Sequence, residues 1–171
     1  MGCATMKFKN VFNLLILFGI LFVCNCSYYS LKGSLPPHLK TVAIPLLENQ
    51  TAEFGITETL TDAVIDEFVR DGSLKIAERS TADVLLIGTI TSISDRAGAY
   101  DQQEIVQDVK VYITVRVECT DQVKRQTMWN ERITQFGSYD PAEGPDGRTT
   151  AYDEAFEKIS QEMLNKTVSN W

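Results

Sequence analysis

Glu104-Ile-Val-Gln-Asp-Val-Lys-Val-Tyr-Ile-Thr-Val-Arg-Val-Glu-Cys-Thr120 carries the cleanest alternation in the chain. Val109, Val111, Ile113, Val115, Val117 and Cys119 fall on one face of an extended strand, and Lys110, Tyr112, Thr114, Arg116 and Glu118 fall on the other. Successive side chains leave a pleated backbone on opposite sides, so a period of two marks a half-buried β-strand. One face belongs to a core; the other meets water or a partner. Cys119 shares the apolar face, where it reads as a small buried hydrophobe and not a reactive thiol. A straight run from Glu104 to Thr120 would extend roughly 55 Å at about 3.3 Å per residue, so a bulge, a bend or a projecting hairpin is expected.

Working outward, Asp121 to Arg125 makes a polar turn, and Gln126 to Phe136 returns as a second strand with Met128, Trp129, Ile133 and Phe136, completing a hairpin. Gly137 to Arg148 reads as a Gly/Pro loop. Thr150 with Asp153 is then expected to cap a helix with the apolar stripe Tyr152, Ala155, Phe156, Ile159 and Met163, running nearly to Trp171. Upstream, Asp83 to Ser94 is a strand bounded by Asp95-Arg96 and Gly98. Ile56, Leu60, Ala63, Val64 and Phe68 recur at spacings of three and four, which predicts a helix over Ile56 to Arg70 stopped by Asp71-Gly72. Thr41 to Leu47 is a short strand in which Pro45 implies an edge or a bulge. These elements predict an α/β two-layer sandwich, with two helices packed on one face of a mixed, mostly antiparallel sheet of about four strands. The other sheet face is left uncovered.

The leader is a separate signal. Lys7 and Lys9 precede an apolar stretch from Leu14 to Val23, as an export signal requires, and the stretch is short for a membrane span. The start is open between Met1 and Met6, since the same apolar stretch follows both. In Val23-Cys24-Asn25-Cys26 a cysteine stands where a bacterial lipoprotein signal is cut and acylated, and Cys26 is preferred over Cys24 because the polar chain begins there. The organisation is a signal peptide over 1–25, a lipidated tether over 26–39 and a folded domain over 40–171. Cys24 and Cys26 are too close for an easy disulfide, so no disulfide framework is expected.

At 171 residues with 44% apolar composition the chain has room for one domain with a sizeable core. A net charge of -7 opposes nucleic-acid binding, and a single histidine, His38, removes most triads and histidine-rich metal sites. Gly144-Pro-Asp-Gly-Arg-Thr149 mimics a phosphate loop but lacks its Lys and follows Glu143; it reads as a turn. Asp140, Glu143 and Asp146 miss the alternate-residue spacing of a calcium loop. Glu58, Asp62 and Asp66 form a like-charged row on the first helix, relieved by Arg70, and read as a solvated face. His38 reads as a tether residue. No catalytic residues, no metal and no cofactor other than a covalent lipid on Cys26 are expected.

Cys26-Ser-Tyr-Tyr-Ser-Leu-Lys-Gly-Ser-Leu-Pro-Pro-His-Leu-Lys-Thr-Val-Ala-Ile-Pro-Leu-Leu-Glu-Asn49 resembles the start of the LPS-assembly lipoprotein family, LptE. The resemblance continues through Leu60-Thr-Asp-Ala, Phe68-Val-Arg-Asp-Gly and Ala82-Asp-Val-Leu-Leu-Ile-Gly-Thr-Ile-Thr91 to Asn170-Trp171. It implies a non-enzymatic outer-membrane lipoprotein on the periplasmic face, plugging the LptD β-barrel and assisting delivery of lipopolysaccharide to the outer leaflet. It implies lipopolysaccharide contact by basic residues in strand-connecting loops, which here are Arg96, Lys124 and Arg125. Ile44-Pro45, Glu48-Asn49 and Thr51 before a helix also occur in other envelope lipoproteins. A peptidoglycan-synthase activator or a secretion accessory is therefore the alternative.

Overall fold

A computed structural model describes residues 35–100 and 106–169. The expected signal peptide, Cys24, Cys26, the tether up to Ser34, the Glu104-Ile105 start of the long strand and the Asn170-Trp171 end lie outside the described residues. The elements follow in the order β1 (Thr41–Ala43), β2 (Glu48–Asn49), α1 (Ile56–Asp71), β3 (Lys75–Ile76), β4 (Val84–Tyr100), β5 (Val106–Asp121), β6 (Gln126–Tyr139), a 3-10 turn (Pro141–Glu143) and α2 (Gly144–Ser169). The sheet order is β3-β1-β4-β5-β6, with β2 also lying against β4. β1 pairs in parallel with β3 and β4, whereas β4, β5 and β6 form an antiparallel meander.

The two-layer arrangement agrees with the periodicity. Val111, Ile113, Val115, Val117 and Cys119 are buried, and they share one core with Leu60, Val64 and Phe68 of α1 and Ala155, Phe156, Ile159 and Met163 of α2. Gly72 closes α1 in the left-handed conformation, with its N–H on the Phe68 carbonyl at 3.1 Å. At Gly137 the close approach of α2 requires glycine, because a Cβ there would strike the Ala151 carbonyl.

Four expectations are corrected. The described sheet has six strands, not about four, because the expected Thr41 to Leu47 strand ends at Ala43 ahead of Pro45, a separate β2 follows at Glu48–Asn49, and Lys75–Ile76 adds β3. Strands of two or three residues are too short for a period to register. β4 does not stop at Ser94 but runs to Tyr100, with register shifts at Ile90/Ser92, Ala97/Ala99 and Ala99/Tyr100 along the hairpin. Gly137 to Arg148 is not a loop. β6 continues to Tyr139 and α2 begins at Gly144, where Pro145 near the helix start needs no amide partner and Asp146 suits the positive end of the helix. Thr150 and Asp153 are thus helix-interior residues. Finally, Arg70 leaves the acidic row and pairs with Glu67 at 2.7 Å.

Candidate functional site

The face of the sheet turned away from the helices carries the unusual chemistry. Antiparallel register puts directly opposed residues on the same side. Arg96 opposes Lys110, Tyr112 opposes Phe136, Thr114 opposes Thr134, Arg116 opposes Arg132 and Glu118 opposes Asn130. The alternation read in β5 places all of these on the uncovered face. Across β4, β5 and β6 it gathers four cations, Arg96, Lys110, Arg116 and Arg132, against the carboxylates of Asp108 and Glu118, with Glu48 of β2 in the Arg116 row on the far side of Thr89 and Lys75 of β3 at the other edge. The whole chain has the opposite balance, 16 Lys and Arg against 23 Asp and Glu. Among the described residues no carboxylate forms an ion pair with any of the four cations.

At the end nearer the β4–β5 hairpin the cations are organised by rings. The Arg96 guanidinium stands 4.7 Å from the Tyr112 ring centre, and the Lys110 ammonium 4.9 Å from that of Phe136. Tyr112 and Phe136 are themselves 5.3 Å apart. The negative ring faces hold the cations over the sheet without neutralising them. Lys158 reaches from α2 around the β6 edge, donating to the Phe136 carbonyl at 2.9 Å and to Glu154 Oε1 at 2.7 Å. The Ser138 N–H donates to Glu154 Oε2 at 2.9 Å, so α2 side chains occupy part of the free strand edge.

Toward the other end, Thr114 and Thr134 hydroxyls meet at 3.0 Å, and the next row is the Arg116–Arg132 pair beside Thr89. Glu118 is turned away from it, toward the Asn130 amide at 3.4 Å and the Thr120 hydroxyl at 3.5 Å.

Of the residues singled out in the sequence, Arg96 lies in strand β4 and not in a loop, because β4 extends past the polar Asp95-Arg96 pair. It belongs to the aromatic end of the uncovered face. Lys124 and Arg125 are exposed in the β5–β6 turn at the opposite end of β5, roughly 35 Å away along the strand, so the three are not brought together. Arg125 has φ 56°, the one non-glycine residue with positive φ among the described residues. Lys110, Arg116 and Arg132 were not singled out. The signal was present in β5, where two cations sit on the polar face, but Arg132 joins them only through cross-strand register.

The turn end is also where the chain enters the domain. His38 Nε2 is 2.7 Å from Asp121 Oδ2, and the Lys124 N–H donates to Asp121 Oδ1 at 2.8 Å. Leu39 is buried directly after it. Asp83 accepts from the N–H groups of Lys40 and Thr41 at 2.9 and 3.1 Å and from the Thr41 hydroxyl at 2.9 Å. Asn49 and Thr51 build the bend into α1. Asn49 Oδ1 accepts from the Thr51 N–H at 2.8 Å, and its amide donates to the Glu53 carbonyl at 2.6 Å.

Cys119 is fully buried, and burial pushes its thiol up to about 12. Among the described residues no group of three or more His, Cys, Asp or Glu could hold a metal ion, and Asp140 is spent on the Ala142 N–H at 2.8 Å. No described helix is long and apolar enough to cross a membrane.

The family model for LptE, lipopolysaccharide-assembly, matches residues 39–167. No curated protein matches the chain. Among solved structures, a DUF330 protein from Xanthomonas campestris is 12% identical with a TM-score of 0.57, over 79% of this chain and 89% of that one. A PelC variant dodecamer from Paraburkholderia phytofirmans is 12% identical with a TM-score of 0.56, over 81% of this chain and 95% of that one. A minor lipoprotein from Acinetobacter baumannii is 12% identical with a TM-score of 0.50, over 77% and 92% respectively. At such identities the likeness is one of fold.

Proposed function

The chain belongs to the LptE lipopolysaccharide-assembly family, and we propose that it acts as an outer-membrane lipoprotein that plugs an LptD-type β-barrel and assists delivery of lipopolysaccharide to the cell surface. The family match over residues 39–167 carries this reading, since it spans nearly the whole described domain. In it, residues 1–25 are removed, Cys26 is acylated and residues 26–39 tether the domain of residues 40–171 to the periplasmic face of the membrane. Stable anchoring takes two hydrophobic signals, each acyl chain contributing about 0.8 kcal/mol per buried CH₂, which lipidation of Cys26 would supply. Ser27 follows Cys26 in place of the Asp that commonly retains lipoproteins in the inner membrane.

The family is a cofactor-free one, and the activity proposed is binding and not turnover. A short tether lets the sandwich enter the barrel lumen, where the polar sheet face and loops meet their partners. The uncovered face then looks onto the path of the glycolipid, with Arg96 at one end and Lys124 and Arg125 at the other as contacts for its anionic groups. Local cations are needed because the long-range field of a chain at -7 repels such a ligand. The test is isolation of the tagged full chain from envelope membranes. A large β-barrel is expected to accompany it, with labelled palmitate on the wild type and none on Cys26→Ala. A chain that comes away alone overturns the plug, and an unlabelled wild type overturns the anchor.

A further inference from the structure

The Arg116–Arg132 row is a local conflict that the fold leaves unresolved. Like charges directly opposed on neighbouring strands are destabilising, their Cβ atoms being about 4.5–5.5 Å apart. Here both side chains are exposed, neither has a carboxylate partner among the described residues, and Glu118, the nearest acid along β5, is hydrogen-bonded elsewhere. A chain with an excess of acids could have neutralised this pair by a single Glu at either position. The pair stands midway along the β5–β6 ladder at the sheet edge. Its row runs on through Thr89 of β4 to Glu48 of β2, which forms no ion pair with either arginine among the described residues, and beside it come the Thr114–Thr134 hydroxyls and then the Tyr112–Phe136 rings.

We propose that Arg116 and Arg132 form a clamp for a phosphate monoester on a sugar headgroup, the sugar lying over Thr114 and Thr134 toward Tyr112 and Phe136. Two guanidinium forks offer parallel N–H donors to phosphate oxygens, and a doubly charged anion between them converts mutual repulsion into two attractions. The threonine hydroxyls supply donors and acceptors at the spacing of a sugar's own hydroxyls, and the adjoining rings hold Arg96 and Lys110 as further donors at the end of the row. A carboxylate of a protein partner would satisfy the charge but not the hydroxyl and ring rows beside it. That the headgroup belongs to lipopolysaccharide rests on the proposed function; the clamp itself rests on the register.

The experiment measures binding of the full chain, in neutral detergent, to lipopolysaccharide and to the same material after phosphatase treatment. The wild type is expected to bind the phosphorylated form at least tenfold more tightly, with affinity falling as salt rises. Arg116→Gln/Arg132→Gln is expected to lose that tenfold preference. Arg132→Glu, which pairs with Arg116, is expected to abolish binding while raising Tm by about 1–4 °C. That combination separates a ligand role from a structural one, since residues kept for the fold would lower Tm when replaced. A double glutamine variant binding within twofold of wild type, or equal wild-type binding to the dephosphorylated material, overturns the clamp. Competition by sodium pyrophosphate as strong as by the glycolipid overturns the sugar part of the assignment. Failure of the family reading registers separately, as absence of the barrel from the wild-type isolate.

Discussion

His38 Nε2 lies 2.7 Å from a carboxylate oxygen of Asp121, which is 3% exposed and stands at the last position of β5. One buried acid thereby ties the segment by which the chain enters the domain to the turn that links β5 and β6. Asp83 does the same for the next residues, collecting the Lys40 and Thr41 backbone and the Thr41 hydroxyl.

The two acids set an acid limit on stability. The Lys40 N–H, and then the Thr41 hydroxyl and N–H, hold the Asp83 carboxyl below its ordinary value against the opposing effect of burial. For Asp121 burial pushes upward, but the His38 bond and the Lys124 and Val123 amides outweigh it and the net shift is again downward. Groups with depressed folded pKa contribute fully above the unfolded value of about 3.9, and the contribution is lost as pH falls through the lower folded value. Asp83→Ala is expected to cost about 1–3 kcal/mol at pH 7 and progressively less below about pH 4. Urea unfolding across that range checks it; a deficit independent of pH would refute the role of the ionised form.

Gly137→Ala will test the close approach of α2 to β6. The added methyl meets the Ala151 carbonyl, backbone that cannot yield without moving α2, so a loss of about 1–3 kcal/mol is expected. Unchanged urea midpoints would show that α2 can stand off from β6 freely.

Arg148 joins three elements, bonding Glu53 at 2.8 Å and Asp95 at 3.0 Å while its guanidinium stands 4.9 Å from the Tyr152 ring centre. Arg148→Met is expected to cost about 1 kcal/mol, with the difference from wild type shrinking in high salt. Faster amide exchange over residues 144–150 should accompany it, because this network fastens the start of α2 to β4. Exchange confined to β6 would contradict that.

Cys119 is expected to resist thiol reagents at pH 8 in the folded chain and to react fully in denaturant, since its thiol is buried and titrates at about 12. Peptide mapping after alkylation distinguishes it from other cysteines. Rapid labelling of Cys119 under native conditions would mean that the β5–β6 sheet opens locally.

Several elements were legible because their signal is local. The alternation in β5, the three-and-four spacing of α1 and the Gly72 stop each reside in a few consecutive residues, and each is found where the pattern put it. β2 and β3 were not legible, since two-residue strands exist only by virtue of the strand they pair with. The start of α2 was misread because glycine and proline signal a turn and a helix start alike, and the choice between them depended on where β6 ended.

The candidate surface divides in the same way. Periodicity alone determined that Lys110, Tyr112 and Arg116 share a polar face, because which side of a strand a residue occupies is a property of the chain's own pleat. Only the tertiary structure decided that Arg132 opposes Arg116, that Arg96 stands on Tyr112 and that Lys124 and Arg125 lie at the far end. Register depends on the lengths of hairpins and the placing of bulges, and these are settled by long-range packing of the whole sheet against its helices.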